Sequence, residues 1–550
     1  MYGYAYTVDL TISMRSNGAK LEQISYPPVT SPSTREALFA ILRACGVTTI
    51  FGNPGSTELP MLKDFPADFR YILALQESVA AGMADGYAQA TRNAAVLSLH
   101  SAAGVGHALG NIFTACKNQT PLLIIAGQQA RSILPYDPFL AAREAVDFPR
   151  PYVKWGCEPA RAEDVPLAIA RAYYTAMQQP RGPVFVSVPV DDWDRPCEPP
   201  SLREVSRTVR GDTVMLTRIA AMLARAERPA FVVGAGVALD EAWDEVVALA
   251  ERHNAPVWAS PMAARNSFPE DHALFAGFLP AWRERIVELL DGHDLILVLG
   301  APVFTYHVEG SGPHIPAGSR LFQLTADPEA AARAPQGSSV VTNLKYGIKD
   351  LLEGPLPRAR TAPEPRRPPP VVDPARLSQE YVLQQLARLR PAGSIVVEEA
   401  PSARDAMHDL LPMITPDSFY TCASGGLGHG LPAAVGVALG RPGERVIALL
   451  GDGSSMYSIQ GLWTAVKLKL PVTFIILNNG GYEALVDFGR HFGLDEAIGT
   501  DLSGIDFCGL ARAQGCRAYR VQEAHELDAA LGRALKSERP ALVEILIAGA

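Results

Sequence analysis

The run "VIALLGDGSSMYS" sets Gly451, Asp452, Gly453 and Ser454 directly after an apolar stretch, and "FIILNNGGY" ends a second such stretch on Asn478 and Asn479. Glycines let a backbone approach a diphosphate closely, and the free N–H groups of a following helix favour anions. The Asp452 carboxylate and the Asn479 side-chain oxygen are hard ligands suited to an octahedral Mg²⁺, or to Ca²⁺, which would also take phosphate oxygens. A carbonyl of the turn Gly480-Gly481, that of Gly481, would complete the protein set, with Tyr482 next in the chain. Taken singly, GDG and NNG are ordinary turns. After two apolar strands, at the ends where parallel sheets gather ligands, the pair points to a diphosphate and cation site. Two other places carry chemistry. "YILALQESVAAGMADGYA" puts Glu77 between an apolar strand and a small-residue helix, and "TCASGGLGHGLPAAVGVALG" offers Gly425, Gly426 and Leu427 at a turn. By residue type alone, Glu77 is an acidic group at a helix start and the glycines form a strand-to-helix turn.

The elements that must position these residues are legible as alternating apolar runs and helix-length stretches. "TTIFGNPG", "AAVLSLHSAAG", "PLLIIAGQQ" and "GPVFVSVPVD" form one set; "RPAFVVGAGV", "APVWASP", "HDLILVLGAPVF" and "SRLFQLTAD" a second; "GSIVVEEAPS", "ERVIALLGDGS", "LPVTFIILNNGG" and "PALVEILIAG" a third. Continuous Val, Ile and Leu runs separated by helices indicate parallel sheets covered on both faces. The fold class is therefore α/β, in three domains each with a mainly parallel sheet flanked by helices. The expected divisions are an N-terminal extension (1–31), a first domain (32–200), a central domain (210–354), a Pro/Arg-rich exposed linker (355–375) and a third domain (376–550). No short-period repeat is visible. A formal net charge of −9 argues against broad binding to nucleic acid or anionic membrane. No apolar run is long enough to span a bilayer. The first residues lack the apolar core of a signal peptide, and seven cysteines without a CxxC pair imply neither a disulfide framework nor a zinc site. Together these features predict a cytoplasmic enzyme.

The GDG and NNG motifs, the "ALQE…ADGYA" segment and "GGLG" together resemble the thiamine-diphosphate-dependent 2-oxo acid decarboxylase family. From about Pro32 onward the chain is more narrowly similar to the benzoylformate decarboxylases, through "FGNPGSTELPMLKDFPADFRYILALQE", "LHSAAGVG", "AGQQAR", "VPVDDWD" and "LGAPVFTYH". The resemblance implies thiamine diphosphate as cofactor. Glu77 would serve its pyrimidine ring, Gly425 and Gly426 would approach the aminopyrimidine, and Leu427 would wedge the cofactor into its bent form. It also implies cofactor contacts at Asn53, Pro54, Ser402, Gly451, Asp452, Gly453, Ser454, Asn479, Gly481 and Tyr482. Ser56 would meet the substrate carboxylate, and His100 and His307 would shuttle protons. Histidine suits that task because it titrates near neutrality. Phe139, Leu140, Thr421, Ala484, Leu485 and Phe488 correspond to the substrate pocket. The activating glutamate and the diphosphate site would come from different subunits of a dimer or tetramer.

Three positions depart from the family pattern. Thr421 replaces an aromatic residue, Glu483 a small one, and Pro401 a hydroxyl residue that helps bind diphosphate, leaving Ser402. The central "VVGAGVALDEA" has two of the glycines of a dinucleotide fingerprint and lacks the third. Related acetolactate synthases carry FAD there, but a structural role is expected here. The implied reaction is non-oxidative decarboxylation of an aromatic 2-oxo acid to an aldehyde and carbon dioxide. The alternatives are a carboligase of the acetolactate synthase or benzaldehyde lyase kind, and a catalytically inactive relative.

Overall fold

Three six-stranded sheets, all of whose pairings are parallel, organise the chain. The computed structural model describes residues 31–364, 366–369 and 371–547; the N-terminal extension expected at 1–31 lies almost wholly outside them. The first sheet holds β1 (Thr49–Gly52), β2 (Arg70–Leu73), β3 (Ala95–Leu99), β4 (Leu122–Gln128), β5 (Gly156–Cys157) and β6 (Val184–Pro189), in the order β2-β1-β3-β4-β6-β5. The central sheet holds β7 (Pro229–Val233), β8 (Val257–Ala259), β9 (Phe275–Phe278), β10 (Leu295–Leu299), β11 (Arg320–Thr325) and β12 (Ser338–Val341), ordered β12-β11-β10-β7-β8-β9. The third holds β13 (Ile395–Glu399), β14 (Phe419–Thr421), β15 (Val446–Gly451), β16 (Val472–Asn478), β17 (Arg517–Val521) and β18 (Ala541–Leu546), ordered β14-β13-β15-β16-β18-β17. The first and third sheets thus share one strand order. Each reverses direction beside its first strand, the point at which open α/β sheets bind ligands.

Two helices join the outer domains. Helix α1 (Glu77–Thr91) starts where Gln76 caps the Val79 amide and stops at Arg92, which is left-handed at φ 57. The next helix, α2 (Ser101–Lys117), follows β3, and α3 (Gly430–Gly440) follows the "GGLG" turn. A β-carbon at Gly436 would lie 2.0 Å from the Met83 carbonyl oxygen, and one at Gly86 2.2 Å from that of Ala433. Glycine at both places lets the backbones of α1 and α3 touch. Their Val79, Ala84, Leu431 and Val435 belong to one apolar cluster with Phe51 and Phe474, so the outer domains share a core. At the same crossing His429 and Asp85 form a fully buried pair, Nε2 to Oδ2, of 2.6 Å. Burial alone would lower the His429 pKa, but the Asp85 charge and hydrogen bond hold it raised, and Asp85 is correspondingly lowered.

Among the described residues the Pro/Arg-rich linker lacks helix and strand and is mostly exposed, and two of its arginines tie it to the folded domains. Arg360 donates to the carbonyls of Leu223, Ala226 and His253 at 2.6, 3.0 and 2.8 Å, closing helix ends that have no partners of their own. Arg366 pairs with Asp409 and lies over the Phe275 ring. The central glycine turn is shut by its own chain: a β-carbon at Gly236 would meet the Gly300 Cα at 2.6 Å. All seven cysteines are free, and among the described residues no helix is long and apolar enough to cross a membrane.

Candidate active site

The carboxyl ends of β2, β1 and β3, adjacent in the first sheet, deliver Glu77, Ser56 and His100. Asn53 and Pro54 lie half-buried in the turn after β1, and Ser56 is exposed beyond them. His100 packs so tightly on this turn that a β-carbon at Gly55 would be 2.3 Å from its ring. Its Nδ1 lies 3.0 Å from both Glu58 Oε2 and Thr57 Oγ1. Ser101, directly after it, is left-handed at φ 54, as is Leu140 at φ 64. Such non-glycine conformations cost about 1–3 kcal/mol each; here the Ser101 hydroxyl donates to the Leu140 carbonyl and ties the Phe139–Leu140 loop to the start of α2. Phe139 is 86% exposed beside it. Glu77, nearly buried, meets His107 Nδ1 at 3.2 Å through Oε2.

A second cluster forms on the third sheet. Ser402 stands exposed after β13, Gly451–Ser454 follow β15, and Asn479–Tyr482 follow β16, three neighbouring strands. Asp452 opens the short helix α4 (Asp452–Met456). Its Oδ2 accepts the amides of Gly480 at 2.8 Å and Gly481 at 3.1 Å, and Asn479 Oδ1 shares the Gly481 amide at 3.2 Å. The two expected ligand oxygens therefore converge on one point. Burial raises the Asp452 pKa against three amide hydrogen bonds, and among the described residues no cation pairs with it. A divalent ion is the charge such a carboxylate lacks. Among the described residues no three His, Cys, Asp or Glu side chains gather around a metal position, so an ion here draws on one carboxylate, one amide and main-chain oxygen. Gly425 and Gly480, at φ 72 and 75, have nothing within 4 Å where a side chain would begin, which leaves open space over both turns. Tyr482 lies against Gly453, where a β-carbon would be 2.3 Å from its ring. The residues present fit a diphosphate and its cation.

Behind the "GGLG" turn, which carries Gly425, Gly426 and Leu427, Glu399 accepts the amides of Gly428 and Gly430. Full burial lifts its pKa to about 7 despite those bonds. The turn also touches the first domain: Thr114 Oγ1 meets Ser424 Oγ at 2.8 Å and Asn111 donates to the Gly428 carbonyl at 3.3 Å. Helix α5 (Glu483–His491) carries Ala484, Leu485 and Phe488 over this cluster, with Leu485 54% exposed. His307, exposed on the loop after β10, meets Phe488 edge to face with ring centroids 4.6 Å apart.

Thr421 does not stand at an open pocket wall as expected. It is buried in register with Glu398 on β13, donates to Glu398 Oε2 at 2.7 Å and accepts from Arg404 at 3.0 Å. A hydroxyl on that inward face finds a carboxylate opposite, and the pair with Arg404 keeps Glu398 ionised despite full burial. Glu483 Oε1 is buried without a hydrogen bond, 3.8 Å from the Arg490 guanidinium. Ser56, Glu77, His100, Phe139 and Leu140 thus lie on the first domain, Phe488 and the diphosphate turns on the third, and His307 reaches Phe488 from the central domain; among the described residues the Glu77 carboxylate hydrogen-bonds to His107. Glu58 and Thr57 escape a reading by motif, because their contact with His100 is visible only once β1 and β3 are paired.

Family models for thiamine pyrophosphate enzymes match three stretches: the N-terminal TPP binding domain over residues 32–145, the central domain over 216–351 and the C-terminal TPP binding domain over 402–545. The chain is 44% identical over 519 residues to benzoylformate decarboxylase of Pseudomonas aeruginosa, covering 93% of this chain and 98% of that one. An acetolactate synthase of Arthrospira platensis is 27% identical over 562 residues, 93% of each chain. Among solved structures, benzoylformate decarboxylase from Polynucleobacter necessarius superposes with a TM-score of 0.91 at 41% identity, covering 94% of this chain and 99% of that one. A thiamine diphosphate-dependent 4-hydroxybenzoylformate decarboxylase from Rhodococcus jostii gives 0.91 at 39%, covering 94% and 100%.

Proposed function

The chain belongs to the thiamine-diphosphate-dependent 2-oxo acid decarboxylases, and on that premise we propose that its substrate is an aromatic 2-oxo acid of the benzoylformate type, released as aldehyde and carbon dioxide. The observation that carries the reading is the edge-to-face pair of His307 and Phe488. It sets an imidazole ring against an apolar one on the helix that follows the Asn479–Tyr482 turn. Burying a phenyl group against Phe488 and Leu485 is worth about 1.5–3 kcal/mol.

When bound, thiamine diphosphate supplies the electron sink that lets carbon dioxide leave. Asp452, Asn479 and the Gly481 carbonyl would hold a divalent cation, and with Ser402 and the Gly451–Ser454 turn they would anchor the phosphates. Glu77 would exchange a proton with the pyrimidine ring of the cofactor. Ser56 orients the substrate carboxylate, while His100 and His307 give and take protons at their ring nitrogens. The active unit we propose is a dimer or larger that draws the Glu77 group and the diphosphate group from different subunits; exposed Tyr136, Phe139, Leu485 and Ile498 supply apolar area for association.

Product analysis with benzoylformate, phenylpyruvate, pyruvate and a branched 2-oxo acid tests the reading. Benzaldehyde and carbon dioxide should form with the highest kcat/KM. Preference for pyruvate, or condensation with an added aldehyde outrunning aldehyde release, would count against it.

A further inference from the structure

We infer that Glu58 is a positioning residue that fixes the ring tautomer of His100; this rests on the reading of His100 as a proton carrier. The hydrogen bonds around Glu58 leave one consistent assignment. Its Oε2 accepts the Gly55 amide at 2.8 Å and its Oε1 accepts the Thr57 hydroxyl at 2.6 Å. The Thr57 proton being committed there, His100 Nδ1 faces two acceptors, the Thr57 oxygen and Glu58 Oε2, each at 3.0 Å. Nδ1 must therefore carry the hydrogen, and Nε2 is left with the lone pair. That is the arrangement in which a carboxylate orients an imidazole so that its other nitrogen does the chemistry.

The surroundings are shaped to keep Glu58 in place. It is 2% exposed. A β-carbon at Gly127 on β4 would sit 2.1 Å from Glu58 Oε1 and 2.2 Å from Thr57 Oγ1, so the strand leaves room for this pair. The Glu58 main-chain amide bonds back to the Gly55 carbonyl at 3.3 Å, closing the turn that also bears Ser56. A buried carboxylate is costly unless its oxygens are satisfied, and here they are satisfied by the turn, the threonine and the histidine together.

The test uses the full-length, cofactor-loaded enzyme with histidine isotopically labelled at both ring nitrogens. Spectra are recorded at a pH where the imidazoles are neutral, and the His100 signals are assigned by their loss in His100→Asn. Wild type should show His100 protonated at Nδ1. Glu58→Met should shift that ring toward the Nε2-protonated form and lower kcat at least ~10-fold, with cofactor affinity by calorimetry unchanged within about two-fold. In Glu58→Gln the Gly55 amide keeps the side-chain oxygen toward His100, but the amide nitrogen then faces Thr57 and frees its hydroxyl proton for Nδ1. With Thr57→Val added, Nδ1 faces an acceptor only, so the tautomer and most of kcat should return in the double variant. An Nε2-protonated His100 in wild type, an unimpaired Glu58→Met, or a Glu58→Gln, Thr57→Val double variant as impaired as Glu58→Met would each overturn the inference. Should Glu58→Met not fold, the wild-type and double-variant spectra decide. No substrate enters those spectra, so failure of the aromatic-substrate reading would leave them unchanged.

Discussion

At the scale of single residues, charge and its compensation decide what each group does. Asp452 is buried among amide donors without a cationic side chain, so a divalent ion has a place there and its removal has a cost. Asp452→Ala should abolish metal-dependent cofactor binding; calorimetry showing unchanged affinity would exclude the assigned ligand. Glu77→Gln keeps shape but not proton exchange, and turnover should drop at least ~10²-fold with an unaltered circular dichroism spectrum. Glu399 gives a sign that can be checked against pH. Its carboxyl rises from 4.5 to about 7 in the fold, so the folded state holds a proton that the unfolded chain releases. Its contribution is complete below about 4.5 and is lost as pH climbs to about 7. Relative to Glu399→Gln, wild type should therefore lose on the order of 3 kcal/mol over that window, measured as the difference of denaturation midpoints.

Between elements, the decisive contact is the crossing of α1 and α3. Gly436 faces the Met83 carbonyl at a distance that admits no side chain, so Gly436→Ala should destabilise by about 1–3 kcal/mol through overpacking, read as a lower Tm. The same crossing buries His429 against Asp85. Removing one member strands the other, and Asp85→Ala should cost about 3–5 kcal/mol. Edge elements are where expectation and structure part. β12 and β17 have one buried residue each, and β5 has two residues, neither of them buried. Such strands carry no continuous apolar run, unlike β4 or β15, and only pairing with a neighbour makes them strands.

Across the whole molecule, the two halves of the proposed site lie on different domains, and the proposed dimer would draw them from different subunits. Mixing tests this directly. Glu77→Gln and Asp452→Ala, each inactive alone, should recover about a quarter of wild-type activity when co-refolded in equal amounts, since half the dimers are mixed and each holds one intact site. Absence of recovery, with mixed dimers shown by mass spectrometry, would place both residues in one subunit's site. The shared strand order of the first and third sheets gives this arrangement its near-symmetry: each offers its reversal point, one for a carboxyl and a histidine, the other for a cation and phosphates.

The amino-acid sequence by itself determined the three parallel sheets, the diphosphate turns and the glutamate at the start of α1, because apolar runs and glycine-acid spacings are local patterns. Tertiary structure alone decided what lies opposite them. The partner of His100 comes from the neighbouring strand's turn, His307 finds Phe488 from another domain, and Thr421 turns inward to Glu398. Such contacts depend on register and on which carboxyl ends stand side by side, and those are fixed by packing over long sequence separations rather than by any stretch of chain.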